Sequence, residues 1–432
     1  MTMHDHVLTL NAGSSSLKFA LFAVAGASAP LDDAAIHDVP VYWGQAQGLG
    51  QASARLDIQG PGGLQHSVPL VSAPSAGDKP ESSAHTAALD SILQWLSVHA
   101  QSARVVAVGH RIVHGGPDLA GPVRVDDALI AQLQALAPLA PLHQVHNLAG
   151  VHAARQAFAK VPQVACPDTA FHRSQSELHQ RYALPEDCFE QGIRRYGFHG
   201  LSYESIATQL RQGRPELAQP EARVVVAHLG NGASLCALRG LRSVATTMGF
   251  SPLDGLPMGT RCGRLDAAVV LHLLAQGLSA EAITDLLYRQ SGLLGLSGTS
   301  SDVRSLTQSA SAAARMALDY FAEHTRREIA GMAAALQGLD ALVFTGGIGE
   351  NAQALRGEIV QGLPWLGCEL DEARNRQSGR PGPGGTLIST PTSRVPVYVL
   401  ATNEEAVIAR HTWRMAFAPG DTQDAETVFQ GL

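Results

Sequence analysis

The run Leu8-Thr9-Leu10-Asn11-Ala12-Gly13-Ser14-Ser15-Ser16-Leu17-Lys18-Phe19-Ala20-Leu21 decides the fold. It reads as a strand, a tight turn dense in small hydroxyl residues, and a returning strand. The plan recurs in the second half. There Val224-Val225-Val226-Ala227-His228-Leu229 enters Gly230-Asn231-Gly232, and Ala233-Ser234-Leu235-Cys236-Ala237-Leu238 leaves it. An Asn-Gly pair between two apolar runs is a strong hairpin signal. Small residues at the bend let backbone N–H groups approach an anion closely. Taken singly, each bend is an ordinary hairpin turn. Paired, with Lys18 just beyond the first, they read as two phosphate loops of a duplicated domain holding a phosphate between its halves.

A chain of 432 residues exceeds one ordinary core, so two domains are expected. Hydrophobic content of 45% and charged content of 16% suit globular burial. A net charge of −7 argues against a nucleic-acid partner. The five cysteines (Cys166, Cys188, Cys236, Cys262, Cys368) include no C-x-x-C, so neither a disulfide framework nor a zinc site is expected, and a reducing cytoplasm fits. Met1 to His6 is polar and runs straight into a strand, which does not read as a signal peptide. The most apolar stretch, Leu265 to Leu278, holds Asp266 and His272 and is too short to span a bilayer, so no membrane partner is expected. Only Lys18, Lys79 and Lys160 are lysines among 31 basic residues, and one of the three sits in the decisive segment.

Along the chain, strands and helices alternate in both halves, which points to an α/β fold. Ala87 to His99, Asp126 to Leu136, Asn147 to Phe158, Tyr203 to Leu210 and Ala310 to Leu336 have helical spacing, with Gly338 as a cap of the last. Arg104 to Gly109, Val161 to Ala165, Ala341 to Thr345 and Val395 to Leu400 read as strands. Residues 25–85 are expected to hold short strands and surface loops.

Several constellations carry chemistry. Arg111 and Arg261 lie in loops pared to glycine (Gly115, Gly116; Gly255, Gly259, Gly263), which suits planar guanidinium contacts to carboxylate or phosphoryl oxygens. An exposed arginine is the ordinary alternative. Asp168 and Glu404 follow strands, where functional loops emerge, or else serve as helix caps. His143, His146 and His152 could suggest a metal cluster, but no carboxylate or cysteine set lies at ligand spacing. His110 and His114 alternate with apolar residues and read as packed or hydrogen-bonded. Gly347-Ile348-Gly349-Glu350-Asn351-Ala352 follows a strand and matches the dinucleotide pattern G-x-G-x-x-A, with Glu369 about twenty residues on. An NAD-dependent dehydrogenase is therefore the rival reading from another class.

The motifs together resemble the acetate kinase family, within the acetate and sugar kinase, Hsp70 and actin superfamily. The resemblance is carried by Asn11 to Lys18, Gly109 to Gly116, Pro141-Leu142-His143, Asp168 to His172, Arg195 to Gly200 and His228 to Ser234. It continues through Met248 to Pro252, Met258 to Arg261, Ser291 to Gly298, Ser300 to Arg304, Phe344 to Asn351 and Thr402 to Glu405. These occur in the family's order and cover nearly the whole chain.

The resemblance implies duplicated ribonuclease-H-like (actin-like ATPase) domains with an interdomain cleft, divided as 1–167 plus 401–432 and 168–400. The second domain would bind nucleotide and form a homodimer. It implies reversible transfer of the ATP γ-phosphoryl group to acetate, giving acetyl phosphate and ADP. Mg²⁺, or Mn²⁺ in its place, would be held by Asn11 and Glu404. Lys18 would approach the nucleotide phosphates. Arg111 would bind the acyl carboxylate beside Asp168, and His199 and Arg261 would stabilise the phosphoryl group in flight. Val113, Leu142, His143, Phe198 and Pro252 would line the acyl site. His228, Leu229, Gly230, Asn231 and Gly232 would line the phosphate path. Asp302, Val303 and Arg304, with Gly347, Ile348, Gly349, Glu350 and Asn351, would cradle the adenosine. Propionate or butyrate kinase is the alternative within the class.

This chain departs from the family pattern in places. Gln144-Val145-His146-Asn147 stands where Asn-Pro-Pro-Asn is usual, and His199-Gly200-Leu201-Ser202-Tyr203 where His-Gly-Thr-Ser-His is usual. Ala245 and Arg264 stand where Asp is usual, and Pro167 where Phe is usual. None removes a residue to which the resemblance gives a chemical role.

Overall fold

The computed structural model describes residues 3–13, 16–25, 35–51, 53–70, 80–140, 143–377 and 384–418. The chain divides into two compact units, Met1–Ala170 with Asn403–Leu432, and Phe171–Thr402.

In the first unit, β1 (His4–Ala12) and β2 (Ser16–Ala23) form the expected hairpin, with Asn11 opposite Lys18. β3 (Tyr42–Gln47), β4 (Arg55–Gly60) and β5 (Leu64–Pro69) continue the antiparallel meander. β6 (Ala103–Ile112) and β8 (Gln163–Pro167) add in parallel beyond β1, and β7 (Val123–Arg124) closes that edge. The order is β5-β4-β3-β2-β1-β6-β8-β7.

Strand periodicity of two explains the layers. Leu8, Leu10, Leu17 and Phe19 face α1 (Pro80–His99) and α3 (Gln144–Ala157), packing with Ile92, Trp95, Ala153 and Ala154. Val7, Ala20 and Phe22 face the other way, onto Ala406, Ala409 and Trp413 of the C-terminal helix α15 (Glu404–Phe417). α15 lies so close to β6 that a Cβ on Gly109 would meet Thr412 Oγ1. The remaining helix, α2 (Asp127–Ala135), is capped by Asp126, whose carboxylate accepts from Leu129 N.

The second unit repeats the plan. β9 (Arg223–Leu229), β10 (Ala233–Arg239) and β11 (Arg242–Thr246) are antiparallel, and β12 (Ala341–Thr345) and β14 (Val397–Val399) add in parallel beyond β9. The two-residue β13 (Thr386–Leu387) completes the order β11-β10-β9-β12-β14-β13. In both sheets, then, an antiparallel run stands beside two parallel strands. The helices of this unit are α4 (Glu177–Gln180), α5 (Glu186–Glu190), α6 (Gly200–Gly213), α7 (Ala267–Ala275), α8 (Ala280–Arg289), α9 (Gly292–Ser297), α10 (Val303–Gln308), α11 (Ala312–Leu336), α12 (Gly346–Asn351), α13 (Gln353–Gln361) and α14 (Glu372–Gln377). Tyr203, Ile206 and Leu210 of α6 pack on Val224, Val226, Cys236 and Val343.

Local details differ from the sequence reading. The left-handed residue ending α11 is Gln337 (φ 60°), one position before the expected Gly338. Gly338 instead lies against Arg223, which donates to Gln337 O and so holds the cap from outside. Neither Asn231 nor its flanking glycines has positive φ, so the second hairpin is not the tight Asn-Gly type. Its loop is three residues long, closed by Gly230 N to Gly232 O at 3.0 Å. The unit boundary falls after Ala170, three residues beyond the expected one. Asp168 N donates to Ile112 O at 2.8 Å, which ties that turn to β6.

Candidate active site

In the first unit the polar centre forms where β1, β6 and β8 end. Arg111, the penultimate residue of β6, donates to Asp168 Oδ2 through Nε at 2.9 Å and Nη2 at 2.5 Å. Its Nη1 reaches Asn11 Oδ1 at 3.3 Å. The Asp168 side chain is 1% exposed, and its Oδ1 is buried with no hydrogen-bond partner among the described residues. Burial alone would lower the Arg111 pKa, but Asp168 and Glu404 more than offset that and raise it.

Glu404 opens α15, behind the Asn403 side chain that accepts from Ala406 N. Part of its surface meets solvent, yet dense surrounding protein pushes its carboxyl up to about 7. Asp168 and Glu405 push the same way, while Arg111 and Lys18 oppose them. Lys18 is exposed on β2 opposite Asn11.

The departure at residues 144–147 forms the first turn of α3 and serves as bracing. Gln144 is buried and exchanges hydrogen bonds with the backbone of His114, at 3.3 Å to its N and 3.1 Å to its O. Asn147 accepts from Val113 N at 2.8 Å and donates to Ala12 O at 2.6 Å, joining the ends of β6 and β1. His146 stacks on His85, whose Nε2 lies 2.8 Å from Gly13 O. Among the described residues, no group of three or more His, Cys, Asp or Glu side chains is arranged to hold a metal. His143 sits at the N-cap of α3, Val113 is buried, and Leu142, like Ser14 and Ser15, lies outside the described residues.

The second unit supplies a separate cluster. His199 has left-handed backbone (φ 58°) at the start of α6, a costly conformation for a non-glycine residue. Phe198 before it is fixed by its carbonyl, 2.9 Å from His172 Nε2. The rings of His199 and His228 stack with centroids 4.3 Å apart. A Cβ on Gly232 would lie 3.2 Å from His199 Nε2 and 3.6 Å from Arg261 Nη1, so the absent side chain leaves room where the imidazole and the guanidinium converge. Arg261 Nη1 donates to Pro252 O at 3.1 Å. Gly259 N reaches Asn231 O at 3.2 Å, tying the Arg261 loop to the hairpin. Arg264, one of the departures, pairs with Glu328 at 3.1 Å.

Around the expected adenosine segments, Asp302 caps α10 by accepting from Arg304 N, and Val303 is buried beneath. The Gly347–Ala352 run does not open one long helix after a glycine turn. α12 stops at Asn351 and α13 restarts at Gln353, and the flanking β9 belongs to an antiparallel meander. Glu350 Oε1 accepts from Gly346 N at 3.1 Å and from Thr402 N at 3.2 Å. Sequence reading missed Arg356, which is 1% exposed and donates to Gly349 O and Glu350 O, both at 2.8 Å. An arginine in an ordinary helical run carries no sign of burial. It also missed Ser234 and Tyr203 as partners of His199.

The family model described as the Acetokinase family matches residues 6–410. An acetate kinase of Methylocella silvestris is 47% identical over 407 residues, 94% of this chain and 96% of that protein. An acetate kinase of Deinococcus radiodurans is 43% identical over 412 residues, 94% of this chain and 96% of that protein. Among solved structures, a propionate kinase from Francisella tularensis superposes with a TM-score of 0.81 at 33% identity, covering 95% of this chain and 99% of its own. The Porphyromonas gingivalis acetate kinase gives 0.79 at 34% identity, covering 96% and 100%. These matches displace the dehydrogenase reading of Gly347 to Ala352. With this duplicated fold and with the family's motifs in order along the whole chain, the protein belongs to the acetokinase family.

Proposed function

We infer that this chain is an acetate kinase, moving the γ-phosphoryl group of ATP reversibly to acetate to give acetyl phosphate and ADP. Beside the family membership, the observation that carries the reading is Arg111, a poorly exposed cation braced by Asp168 and available to an anionic acceptor. The acceptor is itself a carboxylate, ionised at neutral pH since such groups have pKa values near about 4. No general base is needed. A carboxylate oxygen forms its bond to the γ-phosphorus as the bond to the β,γ-bridging oxygen breaks, and that electron pair leaves with ADP. The remaining work is positioning and neutralisation of charge. Arg111 orients the acetate, Asp168 orients Arg111, and Arg261 and His199 donate to the phosphoryl oxygens. Lys18 neutralises nucleotide phosphate, and Asp302 to Arg304 with Gly347 to Asn351 hold the adenosine.

A divalent cation fits the first unit's centre. Asp168 Oδ1 is an orphaned buried acceptor, and Glu404 with Asp168 and Glu405 outnumbers Arg111 and Lys18 in charge. Mg²⁺ takes one or two carboxylates and keeps several waters, so the absence of a larger ligand cluster among the described residues is no obstacle. Asn11 and Glu404 would hold it, and it would supply charge neutralisation for the nucleotide phosphates.

We further propose a cytoplasmic homodimer. All of α7 lies outside the core although its sequence, Ala-Ala-Val-Val-Leu-His-Leu-Leu-Ala, is almost wholly apolar, and a second copy would cover it. No described helix is long and apolar enough to cross a membrane.

The second reading, propionate kinase, is favoured by the identity of the Francisella tularensis neighbour. A coupled assay with ATP, Mg²⁺ and acetate, propionate and butyrate separates the two. ADP formation that depends on acetate, with the highest kcat/KM for it, is expected. A higher kcat/KM for propionate makes the second reading the right one, and turnover with none of the acids sinks both.

A further inference from the structure

We propose that Tyr203 is a positioning residue that acts through Ser234 to lock His199 as the neutral tautomer carrying its proton on Nε2. The inference rests on the reading that His199 donates to the phosphoryl group.

The three groups form a line inside the second unit. The Tyr203 hydroxyl lies 2.5 Å from Ser234 Oγ, and Ser234 Oγ lies 2.9 Å from His199 Nδ1. Tyr203 and Ser234 are fully buried, so water does not compete for either hydroxyl. A phenol, with a pKa near about 10, is a stronger donor than an aliphatic hydroxyl. Tyr203 therefore donates to Ser234. Ser234 Oγ has no third partner among the described residues, so its single proton is satisfied inside the core only when it turns toward His199 Nδ1, which makes that nitrogen the acceptor. The ring proton is left on Nε2, the atom facing the space beside Gly232 into which Arg261 Nη1 also points. Two N–H donors then converge there. The opposite tautomer would set a lone pair beside Arg261 and repel a phosphoryl oxygen.

The neighbouring ring makes the tautomer matter. His228 stacks on His199 at 4.3 Å, and its Nδ1 lies 2.8 Å from Ser202 Oγ. Two imidazolium ions at that distance, with the Arg261 guanidinium nearby, disfavour one another, which favours a neutral His199. Ser202 and Tyr203 are adjacent on α6. One turn of this helix therefore fixes both rings, one directly and one through Ser234. The family resemblance gives histidine as usual at position 203, so the phenol is a departure from that pattern.

The test combines spectroscopy with kinetics on the full-length enzyme. With ¹⁵N-labelled histidine, long-range ¹H–¹⁵N correlation distinguishes the two neutral tautomers. Wild type is expected to show His199 protonated at Nε2. Tyr203→Phe is expected to show a mixture, and to lower kcat roughly three- to tenfold, a fraction of the ~10²–10³ lost with a whole preorganised donor. Both KM values should stay within about twofold. The kcat deficit should be largest where His199 is neutral and shrink in acid, because the imidazolium carries Nε2–H whatever Ser234 does. Ser234→Ala, which cuts the relay at its other link, should shift the tautomer in the same way should Tyr203→Phe fold poorly. A wild-type His199 protonated at Nδ1, or a pattern unmoved by either variant, overturns the relay independently of the reaction. The expected spectra with unchanged turnover at every pH overturn instead the placement of His199 at the phosphoryl group.

Discussion

Asp168 holds Arg111 with one oxygen only. Nε and Nη2 both reach Oδ2, at 2.9 and 2.5 Å, while Oδ1 stays buried without a partner among the described residues. A carboxylate placed merely to neutralise a guanidinium would take it in fork-to-fork geometry, one oxygen per nitrogen. Here the guanidinium is fixed by one edge, and its third nitrogen turns to Asn11. The arrangement fixes the direction of the guanidinium and leaves an acceptor atom over.

Asp168→Asn keeps the shape and removes the charge. Breaking a buried ion pair strands the remaining cation and typically costs about 3–5 kcal/mol. The variant should lose about that much stability to urea, raise the KM for acetate, and lower kcat at least roughly tenfold, with the KM for ATP little changed. Near-normal kcat/KM for acetate would remove Asp168 from the site.

The parts of this fold legible in the sequence are those that short-range pattern determines. The β1–β2 and β9–β10 hairpins, β12 and the start of α15 all follow from short apolar runs bounded by turn residues or from a cap residue. The left-handed cap at Gln337 was hidden because Gly338 beside it looks the better candidate, and only the packing of Arg223 decides between them. Arg356 and Asn147 were hidden for a related reason. Each is polar, buried and bonded to a partner distant in sequence, Arg356 to Asn375 Oδ1 and Asn147 to Ala12 O, so nothing local marks it. The motifs marked candidate residues but not their bracing: Ser234 meets a phenol 31 positions away.

Glu404→Gln tests the metal assignment. If Glu404 is one of the one or two carboxylates that hold Mg²⁺, the Mg²⁺ concentration for half-maximal activity should rise roughly tenfold or more. Mg²⁺ with ADP should raise the wild-type Tm by mass action and move the variant far less. An unaltered Mg²⁺ titration in both measurements would leave Glu404 as a helix-start residue only.

Two buried histidines set the acid limit of stability. Burial lowers the pKa of His110 and of His172 from 6.5 to about 4, against the opposing bonds to Gln163 and the Phe198 carbonyl. Both stay neutral in the fold while the unfolded chain takes up protons below pH 6.5. Their contribution is therefore complete above 6.5 and lost as pH falls toward 4. By linkage the loss at pH 5 is about 2 kcal/mol for each. Urea midpoints should drop steeply between pH 6.5 and 4.5, and His110→Gln should flatten that slope. A wild-type midpoint constant across this range would contradict the burial argument.

Leu271 and Leu274 on α7 are 67% and 45% exposed. If a second copy covers them, Leu271→Asp would bury a charge at the interface, costing at least about 2 kcal/mol per contact in the manner of an interface hot spot. Sedimentation should find wild type dimeric and the variant shifted toward monomer, with its secondary structure intact. A monomeric wild type at micromolar concentration would end the proposal.

Val113 decides how the acyl preference is tested. It follows Arg111 by two positions, is 2% exposed, and has its backbone N held by Asn147 Oδ1 at 2.8 Å, so its side chain cannot swing aside. If the methyl end of acetate meets this residue, each added methylene must find room against a fixed wall. Burying one methylene gains about 0.8 kcal/mol where there is space, and an enzyme pocket discriminates by about 1–3 kcal/mol either way. The expected order is acetate, then propionate, then butyrate, with steps of roughly tenfold in kcat/KM. Val113→Ala deletes two methyl groups while preserving the backbone bond to Asn147. It should narrow the ratio of acetate to propionate, mainly through the KM for the longer acid, and leave the KM for ATP unchanged. The variant will lose some stability as a large-to-small change, so ratios between acids measured on one preparation are the informative quantity. If wild-type enzyme prefers butyrate, or if Val113→Ala slows all three acids by the same factor, Val113 is a core residue and the acyl chain is measured elsewhere.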